Sequence, residues 1–356
     1  MNRRLALKTL TAHKKYFGAI STDHIDYFLK NNLPSHYAAK SDLVFGGGWS
    51  NLMRYSDVAK FYNDHIFYTM SVFSVCGLVS YPKYNYAEFI GKGAGKNTLN
   101  SYRKVTLENG EVKFEKVYKN NSDDLIKLKF FQEVAYNVIS QDFKVPYADL
   151  VIGEVGTLAY FDWIDNVKPI DRRNILGFYS KFRSAAKHIA IPDHYSKNEV
   201  IYDFTREPMY QSGLKAAESW LIKHNFDSKD TLLLNHLSLY LKDTPSSERL
   251  FTHGDLAPVN LLQEDGVFDF DRCGYYPSSY ELAFLCSKSL SFESLAQLDL
   301  ELDMHIQDLS EINKIGFYFF AFIFYSRKIG IESSDAFLKE LWVAVNRKAK
   351  GAGLEI

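Results

Sequence analysis

The chain has 356 residues, enough for one to three domains and for sizeable buried cores. Its formal net charge of −1 removes any global electrostatic case for nucleic acid or an anionic membrane surface as the main partner. A charged content of 24% beside 46% hydrophobic residues is the profile of an ordinary soluble globule, and the three cysteines, Cys76, Cys273 and Cys286, are odd in number and lack zinc spacing, so free thiols in a reducing compartment are expected.

The first residues, Met1 to Lys8, are basic, and no acidic residue precedes Asp23. They lack the continuous apolar stretch and small-residue cleavage site of a secretory signal and read as a surface helix. Helical material follows at about 22–32 and 56–66, with apolar runs near Val72 to Val79. Residues 1–84 are expected to be an N-terminal extension whose role the sequence leaves open. Gly46-Gly47-Gly48-Trp49-Ser50-Asn51 is a glycine cluster inside it, read as a turn because no strand-borne Lys and helix-borne Glu follow at workable distance.

Residues 86–120 predict a three-stranded start. Glu88-Phe89-Ile90 is a short strand, Gly91-Lys92-Gly93-Ala94-Gly95-Lys96-Asn97-Thr98 a glycine-rich loop, and Ser101 to Leu107 a second strand. Asn109-Gly110 supplies a hairpin turn into a third strand, Val112 to Tyr118. The glycine loop misses a Walker A loop twice, with Ile90 in place of the first Gly and Asn97 in place of Ser or Thr after Lys. On the third strand Val112, Phe114, Lys116 and Tyr118 share a face. The lysine on that apolar face is either an edge residue that runs out to solvent or a group aimed at phosphates under the glycine loop.

A helix is expected over about Asp124 to Ser140, with Leu125, Leu128, Phe131, Val134 and Val138 near helical spacing and Glu133 positioned to pair with Lys116. Pro146 to Ile152 and Thr157 to Phe161 predict two more strands. From Asp171 the pattern is helical at about 171–189, 208–225, 229–243, 279–291, 294–312, 314–328 and 333–349. The most apolar run, Ile315 to Tyr325, is too short to span a bilayer and reads as a buried core helix, so no membrane insertion is expected.

One stretch interrupts the helices: His253-Gly254-Asp255-Leu256-Ala257-Pro258-Val259-Asn260, a short hairpin, then Phe268-Asp269-Phe270-Asp271. It offers a base (Asp255), a neutral oxygen ligand (Asn260) and an anionic oxygen ligand (Asp269) in that order. Hard oxygen ligands suit Mg²⁺ that shares its shell with water and nucleotide phosphates, and Asp–Asn–Asp is the order of roles at a kinase phosphoryl-transfer site. The alternative is a helix cap and two solvated strand ends. That reading must also account for the apolar Leu261-Leu262 and Val267-Phe268 flanks that anchor the hairpin in a core.

The stretch from His253 to Asp271 resembles the signature of the aminoglycoside phosphotransferase and choline kinase superfamily, whose fold is similar to that of protein kinases. Pro277-Ser278-Ser279-Tyr280-Glu281-Leu282-Ala283 is similar to the family's segment in which an acidic residue supports the catalytic loop, Phe114-Glu115-Lys116-Val117-Tyr118 to its nucleotide-lysine strand, and Thr157 to Asp165 to its adenine-holding strand and hinge. The likeness covers about residues 86–345, and only 251–285 is specific. Four features depart from the family: the hairpin is short, Ala257 replaces a polar residue, Glu281 replaces a more usual Asp, and the extra 84 residues at the front, the largest departure, leave the substrate class open.

The resemblance implies an α+β, two-lobed, protein-kinase-like fold. Residues 85–165 would form a small antiparallel β-rich lobe that binds nucleotide, and 166–356 a larger helical lobe with the catalytic loop. Asp255 would orient or accept the proton of the attacking hydroxyl, and Asn260 and Asp269 would hold Mg²⁺. Lys116 would contact the α- and β-phosphates and pair with Glu133, while backbone amides around Gly91, Gly93, Gly95, Asn97 and Thr98 would cover them. His253 would brace the loop, and Asp271 would meet a second metal or cap the hairpin.

The implied activity is transfer of the γ-phosphate of ATP, with GTP as the alternative nucleotide, to a hydroxyl of a small polar acceptor such as an aminoglycoside, choline or a sugar, in the cytoplasm. Two other readings are a kinase of a cell-envelope saccharide, since Asp269-Phe270-Asp271-Arg272-Cys273-Gly274 is similar to a segment of lipopolysaccharide-core kinases, and a non-catalytic nucleotide-binding scaffold. The acidic run Asp299, Glu301, Asp303, Asp308, Glu311 is either a solvated helix face or a lure for a cationic acceptor. Tyr275 and Tyr276 either pack or stack on the acceptor. The sequence sets neither the acceptor nor the oligomeric state.

Overall fold

A computed structural model describes residues 84–92, 101–153, 156–164, 168–195, 198–328 and 334–354. The expected N-terminal extension up to residue 83, Cys76 and the glycine-loop residues Gly93, Gly95, Asn97 and Thr98 lie outside them.

By its internal contacts the chain divides into two compact units, Met1–Leu125 with Pro146–Asp165, and Ile126–Val145 with Asn166–Ile356. The first holds one five-stranded antiparallel sheet: β1 (Tyr84–Lys92), β2 (Ser101–Leu107), β3 (Val112–Lys119), β4 (Ala148–Ile152) and β5 (Gly156–Asp162), in the order β1-β2-β3-β5-β4. The Asn-Gly turn forms as the residue types require. Gly110 takes φ +87°, a conformation open to glycine, and Asn109 Oδ1 accepts from the Glu111 N–H at 3.0 Å. Gly91 sits near the end of β1, where the register with β2 slips between Phe89 and Gly91.

Lys116 stands mid-strand on β3, between Tyr102 of β2 and Ala159 of β5. That is the centre of the sheet, so the edge-lysine reading does not hold. The side chain is only 4% exposed, and its ammonium lies 5.1 Å from the centroid of the Tyr118 ring on the same face.

The second unit opens with the helix expected over 124–140, which is interrupted. α1 (Asp123–Phe130) passes through a π-helical turn (Phe131–Ala135) into α2 (Tyr136–Asp142). A π turn holds one extra residue, which rotates everything after it. The buried row therefore runs Phe131, Ala135, Ile139 instead of the expected Phe131, Val134, Val138. The remaining helices are α3 (Ile175–Ala186), α4 (Glu199–Tyr202), α5 (Pro208–Lys223), α6 (Ser228–Lys242), α7 (Ser279–Ser289), α8 (Leu295–Gln307), α9 (Glu311–Ser326) and α10 (Asp335–Gly351).

Their starts are written in the sequence. Asp227 and Asp230 form a reciprocal capping box on α6, and Ser294, Ser310 and Ser334 cap α8, α9 and α10 by accepting from Gln297, Asn313 and Phe337 N–H groups. Pro208 occupies the first turn of α5, where its missing N–H costs nothing. The apolar run in α9 is the hub of the unit's core, as expected, with every residue from Ile315 to Ser326 buried. Two glycines let other segments approach it closely. A Cβ on Gly213 would lie 2.7 Å from Ile323, and one on Gly316 would lie 2.6 Å from the Ser279 hydroxyl.

The architecture is thus α+β, an antiparallel sheet unit and a larger helical unit with one short hairpin set among the helices, the kinase-like element order expected. No helix among the described residues is long and apolar enough to cross a membrane.

Candidate active site

All the chemistry-bearing residues of the 253–271 stretch lie in the helical unit, framed by two small ladders. β6 (Arg249–Thr252) pairs antiparallel with β9 (Gly274–Pro277), Thr252 opposite Gly274, so the chain leaves and rejoins the same end of one ribbon. Within that excursion β7 (Leu261–Leu262) pairs with β8 (Gly266–Val267). Leu261 and Val267 are fully buried, which anchors the hairpin as the sequence required. Backbone bonds stitch it further, from Ile170 N–H to Leu261 O, Gln263 N–H to Lys168 O, and Val267 N–H to Lys144 O.

The loop from His253 to Asn260 is held from three sides. Glu281 on α7 accepts the N–H groups of His253 and Gly254, and the Leu256 N–H also points at its carboxylate. The supporting role inferred for this acidic residue is therefore what the geometry shows. Burial pushes the Glu281 carboxyl up to about 7, against the pull of those amides. His253 is fully buried and braces the loop. Its Nε2 lies 2.6 Å from the Phe268 carbonyl oxygen, while the Asp255 N–H donates to Nδ1 at 3.3 Å. Both nitrogens are satisfied by the neutral ring, and burial lowers the imidazole to about 4. Gly254 takes φ +76°, and a Cβ there would fall 1.9 Å from the Arg272 carbonyl oxygen. Only glycine lets the loop press against the turn at Phe270–Arg272.

Asp255 is half-buried. Burial and then the Asp269 carboxylate push its pKa up to about 6, opposed by Lys288, Arg272 and a hydrogen bond from Asn260. Asn260 also donates through Nδ2 to the Asp255 carbonyl at 2.8 Å, which leaves Oδ1 as the ligand end of its amide. Asp269 is exposed and adopts φ 62°, ψ 60°, a left-handed conformation unusual for a side-chain-bearing residue. Phe270, next in sequence, lies 4.5 Å from the His253 ring and stacks at 3.7 Å on Phe131 of the π turn. Asp271 is 4% exposed.

Asp255, Asn260 and Asp269 thus form one cluster. The repulsion between the two carboxylates is what a divalent cation would relieve, and the amide oxygen adds a neutral ligand, so the donor set fits Mg²⁺. Among the described residues no three His, Cys, Asp or Glu side chains converge to hold a metal alone. An Asn–Asp pair completed by phosphate oxygens and water needs no such cluster.

Other sequence candidates have partners elsewhere. Glu133 is exposed; Tyr195 OH donates to its Oε2 at 2.7 Å, and His194 Nε2 lies 3.1 Å from Oε1. Tyr276 is buried with its hydroxyl donating to Glu207 at 2.8 Å, beside the buried Lys127–Glu207 ion pair, and Tyr275 donates to the Ser246 carbonyl. Both tyrosines pack. On α8 and α9 the acidic run serves local contacts: Asp299 accepts from Tyr318, Glu301 from Gln297, Asp303 from Gln307, and Glu311 pairs with Lys314.

Three features of the site had no clear sequence signal: Lys288 within the field of Asp255, the Phe270–Phe131 stack, and Arg249. Lys288 lies seven residues, two helical turns, beyond Glu281, and that spacing was the available clue.

Among solved structures, a microcompartment-associated aminopropanol kinase aligns at TM-score 0.47 and 14% identity over 76% of this chain and 96% of that one. An amicoumacin kinase solved with AMP-PNP and Ca²⁺ aligns at 0.45 and 14% over 83% and 95%. A choline kinase from Streptococcus pneumoniae aligns at 0.39 and 15% over 76% and 94%. Likenesses of this size carry no argument about activity. Comparison with curated proteins gives no match. The model of the phosphotransferase enzyme family matches residues 202–308, a span that includes Asp255, Asn260, Asp269 and Glu281.

Proposed function

We propose that the protein is an ATP- and Mg²⁺-dependent phosphotransferase that acts on a hydroxyl of a small molecule. The observation that carries this reading is the cluster of Asp255, Asn260 and Asp269 on a loop braced by Glu281 and His253, inside the segment that matches the phosphotransferase family. A scaffold has no use for a half-buried carboxylate beside the proposed metal ligands and raised toward neutrality.

In this reading Asp255 receives the acceptor hydroxyl and orients or takes its proton, for which a carboxylate near 6 is suited. Asn260 and Asp269 hold the metal, which when bound neutralises charge on the phosphate oxygens. Lys116, an ammonium buried mid-sheet, remains the residue assigned to the α- and β-phosphates. Glu133, assigned with it, is held within the helical unit by Tyr195 and His194. The protein's contribution is positioning and charge stabilisation.

The test is incubation with γ-labelled ATP and Mg²⁺ against a panel of amino alcohols, aminoglycosides, sugars, sugar acids and sugar phosphates, with labelled product identified by mass. Transfer to one class is expected, and it must vanish with Asp255→Asn. Labelled ATP recovered intact across the panel, with Mg·ATP still bound, would return the scaffold reading.

A further inference from the structure

One flank of the Asp255 loop is cationic, and two parallel helices make it so. On α7 and α9 the Ser279 N–H donates to Asn313, the Tyr280 ring packs edge-on against Phe320 at 5.2 Å and Phe324 at 5.3 Å, and Phe284 packs against Phe324 at 5.2 Å. Position 280 therefore neighbours 320, and 284 neighbours 324. The next turn brings 288 beside 328, at the shared C-terminal end of both helices. The residues there are Lys288, Arg327 and Lys328.

Lys288 also lies on the helix face that carries the catalytic loop. It follows Glu281 by two turns, about 10 Å along the same face, and Glu281 is the residue that grips Gly254. Lys288 and Arg272 both act on the Asp255 carboxylate. Arg172, in the turn before α3, adds to the field felt by Lys328.

Basic residues at helix C-termini are ordinary, because they complement the helix dipole. The dipole does not account for crowding them. Lys288 and Arg327 are both pushed down by burial, and Lys328 falls to about 8 under burial and the charges of Lys288, Arg172 and Arg327. Neither Lys288 nor Arg327 makes an ion pair among the described residues; Lys288 lies over the Phe284 ring and Arg327 meets the Met209 sulfur. Lys288 and Arg327, beside a proposed catalytic carboxylate, fit an anion that no described residue pairs with them. An anionic acceptor would moreover need such cations to come near a triphosphate at all.

We propose, on the phosphotransferase reading above, that the acceptor is a hydroxyl compound bearing a carboxylate or phosphate, whose anionic group is held by Lys288 and Arg327 at the joined C-terminal ends of α7 and α9 while its hydroxyl meets Asp255. This is the opposite charge from the choline-like acceptors that the acidic residues of α8 would suggest, and those acids are occupied by Tyr318, Gln297 and Gln307.

The experiment titrates inorganic phosphate, malonate and choline, each separately, into the full chain saturated with Mg·AMP-PNP, so that the nucleotide site is filled. Wild type, Lys288→Gln, Arg327→Gln and the double variant are compared by calorimetry, and AMP-PNP affinity reports whether each variant is folded. At least one anion binds the wild type, choline binds more weakly, and the double variant loses anion affinity roughly tenfold or more. The tighter of phosphate and malonate names the anionic group. Choline binding more tightly than either anion, no anion binding to wild type, or anion affinity unchanged in the double variant would overturn the inference. Phosphate transfer is measured separately: anion binding that depends on Lys288 without any transfer keeps the anionic site and removes the kinase, while transfer to cationic acceptors alone does the reverse.

Discussion

Asp255 combines two demands that pull against each other: it must lie near a second carboxylate, Asp269, and still carry charge at neutral pH. Burial and Asp269 raise it to about 6, and Lys288, Arg272 and Asn260 keep it from rising further. Asp255→Asn retains the shape and removes the proposed base. Turnover is expected to fall by roughly 10²–10⁴ with nucleotide affinity little changed, and near-normal turnover would remove Asp255 from the mechanism. The bracing residues give a second prediction, on stability. Glu281 sits at about 7 against an ordinary 4.5, so the native state binds its proton more tightly and stability falls as pH rises through that window, by about 3 kcal/mol in all. His253 sits at about 4 against 6.5, so the native state binds its proton less tightly and stability rises as pH climbs from 4 to 6.5. The two slopes oppose one another between 4.5 and 6.5. Glu281→Gln removes the first, and denaturant unfolding at a series of pH values should show its stability relative to wild type climbing from pH 4.5 to 7. Parallel profiles for the two proteins would refute the assignment.

At the scale of elements, the loop is accurate because the ladder that carries it is pinned. Arg249, the first residue of β6, is buried and its guanidinium donates to the carbonyls of Thr244 at 2.8 Å, Tyr202 at 2.7 Å and Tyr275 at 3.0 Å, and to that of Lys242. One side chain thereby ties the end of α6, the end of α4 and β9 to the strand that leads into His253. Arg249→Met keeps the apolar stem and leaves those acceptors without their donor. A loss of about 3 kcal/mol or more in unfolding free energy is expected, and a loss under about 1 kcal/mol would show the guanidinium to be dispensable. The Lys127–Glu207–Tyr276 cluster does similar work from the other side, joining α1 to the start of α5 and to β9 within one buried set of hydrogen bonds.

At the scale of the whole molecule, the α+β order and the loop were legible because each rests on local rules. The Asn109-Gly110 turn, the serine caps and the apolar run of α9 are set by neighbours in sequence, and the 253–271 residue order carries its own chemistry. What the sequence did not decide has a common cause in contacts between distant segments. The π turn at Phe131 follows a stack on Phe270, and the expected row Val134, Val138 moved by one residue with it. Lys116 proved to be central because β5 pairs with β3 while β4 takes the edge, an order no spacing predicts. Tyr276 turned inward because Lys127 and Glu207, far off in the chain, meet its hydroxyl. Lys288 reaches the site through the folding of α7 against the loop, two helical turns beyond Glu281.

The central claim is that Asn260 and Asp269 hold the metal through which nucleotide binds beside Asp255. Its most direct test is the affinity for ATP with and without Mg²⁺, in wild type and in Asp269→Ala. Tight, Mg²⁺-dependent binding by wild type and its loss in the variant are predicted; an Asp269→Ala protein that binds Mg·ATP as wild type does would contradict the account.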